Sequence, residues 1–280
     1  MAGRAVVLGG GGGGAIGWLG GLLYGLGEAG LDLGDADVVI GTSAGATVGA
    51  QLASGKLTFQ ELYKRQLAAP QGEIAGRLTT SMYLRYAWAT LKSGTPEEYG
   101  RKIGRMALAA RTPSEAARRA AIESRLVSPE WPDRPLRVPA VDTATGELRV
   151  FDRHSEVPLV DAMAASCAVP GAWPPVTIEG RRWMDGGTHS PANAHLAAGY
   201  DRVVVLAPVG RGGGPLASAE SQAQRLREKG ARVTVVTPSA VAREAFGRNP
   251  LDPTRREPAA RAGREQAGEH VKEVGQVWRG

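Results

Sequence analysis

Val38-Val39-Ile40-Gly41-Thr42-Ser43-Ala44-Gly45-Ala46-Thr47-Val48-Gly49-Ala50 is an apolar strand that breaks at a glycine-flanked serine and resumes in small residues suited to a helix. A serine at such a corner sits in a sharp strand-to-helix turn that leaves no room for a side chain on either flank, which accounts for Gly41 and Gly45. The corner lifts the hydroxyl out of the sheet. The helix behind it aims unpaired N–H groups, and the positive end of its dipole, at any negative charge that develops there. Ser43 is therefore the candidate nucleophile. The chain holds 39 glycines, so the pentapeptide takes its weight from its surroundings.

Upstream, Arg4-Ala5-Val6-Val7-Leu8 reads as a first strand that empties into six consecutive glycines, 9–14, and then into a helix from Ala15. Three uses compete for such a loop. A phosphate-cradling loop wants Lys-Ser/Thr where this chain has Ala15-Ile16. A dinucleotide fingerprint fits the glycine spacing but wants an acid at the end of the second strand, a place held by Ile40 and the elbow. An oxyanion hole needs only backbone N–H groups beside the serine, at the carboxyl ends of two neighbouring parallel strands.

A general base is less obvious. His154, His195 and His270 read as surface residues. His189 follows Trp183-Met184-Asp185-Gly186-Gly187, a strand end breaking into a glycine turn that leaves an aspartate at the rim of a sheet. Taken alone, Asp185-Gly186 reads as an ordinary turn.

The stretch Ala164-Ala-Ser-Cys-Ala-Val-Pro-Gly-Ala-Trp-Pro-Pro-Val-Thr-Ile-Glu-Gly-Arg-Arg-Trp-Met-Asp-Gly-Gly187 changes that. With the glycine loop and the elbow, in this order, it resembles the patatin-like phospholipase family over residues 4–210, and looks most like the bacterial, soluble members. The resemblance implies a three-layer α/β fold, with a mainly parallel central sheet, helices on both faces and a helical insert. It implies a Ser-Asp dyad without histidine: Ser43 the nucleophile, Asp185 the base, Gly186 and Gly187 supporting the turn. Gly10, Gly11, Gly12 and Gly13 are implied as oxyanion-hole donors, no metal or organic cofactor is implied, and the substrate is a lipid or other ester. The family loop reads G-G-G-x-x-G with an Arg or Lys; here the variable positions are Gly13 and Gly14, Ala15 replaces the last glycine, and no basic residue is present. The donor register is thus open by one residue, and no cation is expected beside the oxyanion.

The dyad's chemistry follows from general grounds. An aspartate with an ordinary pKa near ~4 is ionised at neutral pH but is a weaker base than imidazole, so burial must raise its basicity. The amides of the glycine turn would fix its second oxygen, and Trp173, Trp183 and Pro174-Pro175 are expected to exclude water.

At 280 residues and 42% hydrophobic content the chain suits one α/β unit spanning 1–280, with a core at 4–210, a helical insert at about 58–126 and a C-terminal strand and helices at 211–280. No apolar run reaches the ~20 residues of a membrane span, and Met1-Ala2-Gly3-Arg4 leads straight into a strand, so a cytoplasmic protein is expected. One cysteine, Cys167, excludes an internal disulfide and reads as packing. The net charge is +6, but the stretch 111–125 interleaves Glu115 and Glu123, and 255–272 interleaves Glu257, Glu265 and Glu269, which reads as solvated helix faces. With 5% aromatics, nucleic-acid binding is not expected; a transient attraction to anionic membrane surfaces is.

The alternation predicts strand 4–8, helix 15–29, strand 36–41 and helix 44–54, then helices whose starts are marked by capping boxes at Thr58, Thr95 and Thr112, the last two with proline at the first helical position. Strands are predicted at 136–142, 148–152, 202–207 and 232–237, with helices near 193–198, at 218–229 and from about 239. An elbow after the second strand argues against the ordinary α/β-hydrolase order, although a Ser43, Asp201, His270 triad can be written. Leu78, Met82, Tyr83, Leu84, Tyr86, Trp88 and Leu91 either fill core or wall an acyl groove over Ser43. The sequence reading is a serine lipid acyl hydrolase; an acyltransferase using the same dyad and an inactive binding relative remain alternatives.

Overall fold

The computed structural model describes residues 3–69 and 75–280; Met1, Ala2 and residues 70–74, the latter within the expected insert, lie outside the described residues. Among the described residues eight strands form the sheet: β1 (Arg4–Leu8), β2 (Val38–Gly41), β3 (Leu136–Asp142), β4 (Leu148–Phe151), β5 (Val176–Ile178), β6 (Arg181–Asp185), β7 (Arg202–Leu206) and β8 (Arg232–Val236). They pair in the order β5-β6-β3-β2-β1-β7-β8, with β4 also on β3. The run β3-β2-β1-β7-β8 is parallel, and β4, β5 and β6 add antiparallel pairs at one end. Central strands such as Val203-Val204-Val205-Leu206 are apolar throughout because both of their faces are covered.

Among the described residues ten α-helices complete the fold: α1 (Gly12–Glu28), α2 (Ala44–Ala53), α3 (Phe59–Leu67), α4 (Thr80–Leu91), α5 (Pro96–Leu108), α6 (Glu115–Glu123), α7 (Leu159–Ser166), α8 (Ala219–Glu228), α9 (Ala240–Phe246) and α10 (Arg256–Trp278). On one face Val6, Leu8, Val39 and Val204 pack with α1, α2, α7, α9 and α10. On the other, Val7, Ile40 and Val205 meet α8, while Val141 and Met184 meet α4 and α5. Alternate strand residues thus feed two cores, which gives the expected three layers. The glycines of α1 let α10 lie backbone against backbone: a Cβ at Gly17 would stand 2.1 Å from Arg256 O, and one at Gly21 1.9 Å from Ala260 O.

β3 decides where the two candidate residues meet. β2 pairs with its first residues, Leu136 and Arg137, and β6 with its last, Ala140 to Asp142. Val39 N donates to Pro135 O and Thr143 N to Arg182 O. Positions 135 and 143 are an even number apart, so β2 and β6 lie on one edge of β3, in line, with their carboxyl ends facing. Pro139, between them, has no N–H to leave unpaired.

Several local expectations are corrected. α1 begins at Gly12, inside the glycine run, rather than at Ala15. Ser114 caps α6, accepting from Ala117 N, so Thr112 is no cap and Pro113 no first helical residue. The expected helix near 193–198 is a 3-10 turn at Ala194–Ala197. α7 is a helix the sequence did not signal, and Trp183 packs edge-on against Phe151 in the core instead of screening Asp185. No helix among the described residues is long and apolar enough to cross a membrane.

Candidate active site

Ser43 has φ 54° and ψ −112°, a backbone region that side-chain-bearing residues occupy only under constraint. The constraint comes from β1 and α7: Thr42 N donates to Leu8 O at 2.9 Å, and Ser43 N to Ser166 Oγ at 3.1 Å. A Cβ at Gly45 would stand 1.9 Å from Leu8 O and one at Gly41 2.5 Å from Gly45 O, so both glycines are required by close approach. The buried Cys167 thiol donates to Ser43 O at 3.3 Å; burial, then the nearby Asp185, pushes its pKa up, the state of an inert packing residue.

Ser43 Oγ donates to Asp185 Oδ2 at 2.6 Å, and Gly187 N donates to Oδ1 at 2.8 Å. Both side chains are buried, each residue 6% exposed. Burial pushes the Asp185 carboxyl up to about 6, against the hydrogen bonds from Ser43 and Gly187 and the Arg118 guanidinium, which pull it down. Gly186 has no room for a Cβ, which would lie 2.3 Å from Pro139 O. The buried Asn193, left-handed at φ 52°, ties the two halves together: Nδ2 donates to Thr42 Oγ1 at 3.1 Å, to Gly186 O at 3.1 Å and to Ser190 O at 2.8 Å. Sequence reasoning missed Asn193, because nothing local in Ser190-Pro191-Ala192-Asn193 points to residues 151 positions away.

The glycine loop is narrower in function than its sequence. Gly10 N already donates to Pro191 O at 2.8 Å and Gly13 N to Pro250 O at 2.7 Å. Among the described residues, the amides of Gly11 and Gly12 are left without a partner, at the positive end of α1, so Gly10 and Gly13 shape the loop instead of opening donors to a ligand.

Two cavities flank Ser43. One, of about 270 Å³, also touches Asp185 and Gly11 and is walled by Leu78, Tyr86, Tyr99, Val169, Val209 and Leu251. Tyr86 OH donates to Pro170 O at 2.8 Å. The residues of the insert therefore divide: Leu78 and Tyr86 line the cavity, Met82 packs on Gly171, and Tyr83, Leu84, Trp88 and Leu91 face outward.

The other cavity, about 40 Å³, is lined by Arg118, Arg125, Arg256, Thr47, Cys167 and Trp173. The Arg118 guanidinium lies over the Trp173 ring, 4.0 Å from its centroid, and the residue is 6% exposed. Three arginines thus line a cavity that reaches Ser43, and the reading of 111–125 and 255–272 as solvated faces throughout is corrected. The cations come from α6, from the segment after it and from the first residue of α10.

No histidine lines either cavity among the described residues. His154 is exposed, as expected, but His189 and His195 are half-buried with ring centroids 5.4 Å apart, and His270 contacts Gln266 and Glu273. No group of three or more His, Cys, Asp or Glu able to hold a metal ion occurs among the described residues.

A serine raised on an elbow, an acid on the strand end facing it and an N–H-rich loop at a helix start are the parts that acyl transfer through a serine requires. The chain matches the patatin-like phospholipase family model over residues 6–198, and it belongs to that family. No curated protein matches it. Among solved structures it is similar to VipD from Legionella pneumophila, at 15% identity and a TM-score of 0.47, covering 98% of this chain and 67% of that one. It is also similar to the type III effector protein ExoU, at 16% identity and a TM-score of 0.41, covering 98% of this chain and 53% of that one. The chain thus spans about half of ExoU's length.

Proposed function

We propose that the protein is a lipid acyl hydrolase of the phospholipase A or esterase type, working through an acyl-serine on Ser43 with Asp185 as base. The observation that carries this reading is the buried 2.6 Å hydrogen bond from Ser43 Oγ to Asp185 Oδ2. Ser43 Oγ attacks the ester carbonyl carbon as its proton passes to Oδ2, and the oxyanion is met by the amides of Gly11 and Gly12. Asp185 returns the proton to the leaving alkoxide, then takes one from the water that cleaves the acyl-serine to the free acid. A carboxyl raised to about 6 is ionised at neutral pH yet more basic than an ordinary aspartate, which suits both roles.

The acyl chain lies in the apolar cavity, and α4 meets the lipid surface. Four of its side chains are exposed, Tyr83 at 48%, Leu84 at 67%, Trp88 at 56% and Leu91 at 83%, beside a cavity mouth lined by Leu78 and Tyr86. The net charge of +6 favours anionic surfaces. The contact of α1 with α10 supports treating residues 1–280 as one catalytic unit.

A fluorophosphonate probe tests the nucleophile. Intact-mass analysis should find one adduct on the wild type and none on Ser43→Ala; equal labelling of both would refute the assignment. Fatty-acid release from mixed lipids, with and without an alcohol acceptor, separates hydrolysis from acyl transfer.

A further inference from the structure

The arginine-lined cavity adjoins the apolar one at Ser43, and both include Gly12, Ser43, Val169 and Leu251 in their walls. An ester held with its carbonyl at Ser43 and its acyl chain in the apolar cavity has its alcohol half left to place. The small cavity is the neighbouring space. It shares Ile16, Thr47, Arg125 and Arg256 with a larger one of about 410 Å³, to which Arg65 and Gln51 also contribute.

Three arginines, from α6, the segment after it and the start of α10, line this cavity, and Arg118 is pre-oriented by its stacking on Trp173. Planar guanidiniums bind phosphate through paired charge-assisted hydrogen bonds and lose little freedom when already held. Each of the three has an interaction in this structure, so a phosphate binds by exchange and not by filling a void. Gln51 adds an acceptor. It is 4% exposed, its Nε2 donates to Arg125 O at 3.0 Å, and its Oε1 is buried without a hydrogen-bond partner. A buried acceptor in that state is satisfied by a ligand hydroxyl. No described residue lining either cavity carries a carboxylate that could receive a cationic head group.

We propose that Arg118, Arg125 and Arg256 form a subsite for the phosphate of the substrate's alcohol half, with Gln51 accepting from a hydroxyl on it, so that the enzyme selects anionic, hydroxylated head groups over zwitterionic ones. This rests on the acyl hydrolase reading above and adds the discrimination by head-group charge. Neutralising the phosphate next to Ser43 also lowers the repulsion between it and the developing oxyanion.

The test uses the full chain with dihexanoyl-phosphatidylglycerol and dihexanoyl-phosphatidylcholine as monomers, so that no lipid surface contributes. The wild-type ratio of kcat/KM, glycerol over choline, is expected at about tenfold or more, falling to about unity in Arg125→Gln/Arg256→Gln. Arg125→Lys/Arg256→Lys, which keeps the charge, should hold an intermediate ratio, and Arg153→Gln, exposed and in the lining of none of the three cavities, the wild-type one. Equal ratios in wild type and the double Gln variant would overturn the subsite. Calorimetric titration of Ser43→Ala with sn-glycerol 3-phosphate and with inorganic phosphate is independent of turnover. Glycerol phosphate should bind more tightly, and adding the two Gln substitutions should abolish binding of both. Binding unaffected by those substitutions overturns the subsite, and equal binding of the two anions without lipid preference assigns the pocket to a free anion and overturns the head-group role. A wild type that hydrolyses neither lipid refutes the hydrolase reading, while the titration still decides the pocket.

Discussion

The two sides of the cleft over Ser43 are made of opposite materials. One wall is apolar and comes mostly from the insert and its neighbours, Leu78, Tyr86, Tyr99 and Val209; the other carries Arg118, Arg125 and Arg256. Between them the floor is almost all backbone, the glycine loop and the elbow, with two reactive side chains. The difference separates chemistry from selection. On the function proposed above, the floor would break the ester, and the walls would decide which ester is presented and which way round.

The largest effect should come from the floor. Asp185→Asn is expected to lower kcat/KM on p-nitrophenyl butyrate by ~10³ or more with the circular dichroism unchanged, because the amide cannot take the serine proton. Changing His154, His189, His195 or His270 to Gln should leave most activity. A histidine variant as inactive as Asp185→Asn would break the distinction between a two-residue floor and passive walls.

The pH profile should follow the same carboxyl. Because burial holds Asp185 near 6, kcat/KM is expected level above neutrality and to fall about tenfold per pH unit below 6. An inflection near ~4, the range of an ordinary carboxylate, would mean that the buried acid is not the base.

The apolar wall should act in smaller, additive steps. Each CH₂ added to the acyl chain gains up to about 0.8 kcal/mol, roughly fourfold in kcat/KM, until the cavity is filled. Tyr86→Ala should flatten that series. Leu84→Ser/Leu91→Ser, on the exposed face of α4, should lower turnover of phosphatidylglycerol vesicles relative to monomeric esters by about tenfold. A chain-length series already flat in the wild type would reassign the apolar wall to packing.

The last effect is one of stability and has the opposite sign to the loss of activity. The Asp185 carboxyl holds its proton more tightly in the folded chain, near 6, than at its ordinary 3.8. Its burial therefore costs little below pH ~4, and the cost grows to its full value above pH 6. Asp185→Asn removes that cost, at most about 3 kcal/mol, so its Tm should exceed the wild type's at pH 8, the gap closing toward pH 4. A lower Tm at pH 8 would mean that the hydrogen bonds to Ser43 and Gly187 outweigh the buried charge.

Much of the floor was legible because it is written in consecutive residues. Gly41 and Gly45 announce a turn with no space for side chains, and the clash distances to Gly45 O and Leu8 O are the physical form of that signal. β1, β2 and α2 likewise fall where their apolar and small-residue runs place them, to within two residues. The cap of α6 was misplaced by one turn signal, since Thr112-Pro113 and Ser114-Glu115 offer rival starts and tertiary packing chose the second.

The walls were not legible. In a linear reading Arg118, Arg125 and Arg256 alternate with glutamates like any solvated helix face, and only the docking of α6 and α10 beside the elbow turns three of those charges inward. The split of the insert between cavity and exterior depends in the same way on which face of α4 meets residues 169–171.

By itself the sequence determined the candidate serine, the glycine loop and the α/β alternation, because each is a local demand of backbone sterics or of apolar periodicity; the candidate acid came only with the family resemblance, since Asp185-Gly186 taken alone reads as an ordinary turn. Tertiary structure alone decided that β2 and β6 meet end to end along one edge of β3, bringing Ser43 to 2.6 Å from Asp185 across 142 residues. It also decided which amides of the glycine loop are engaged, since Pro191 O and Pro250 O arrive from distant segments to take those of Gly10 and Gly13. Distances between such segments are set by packing, and no single stretch of chain encodes them.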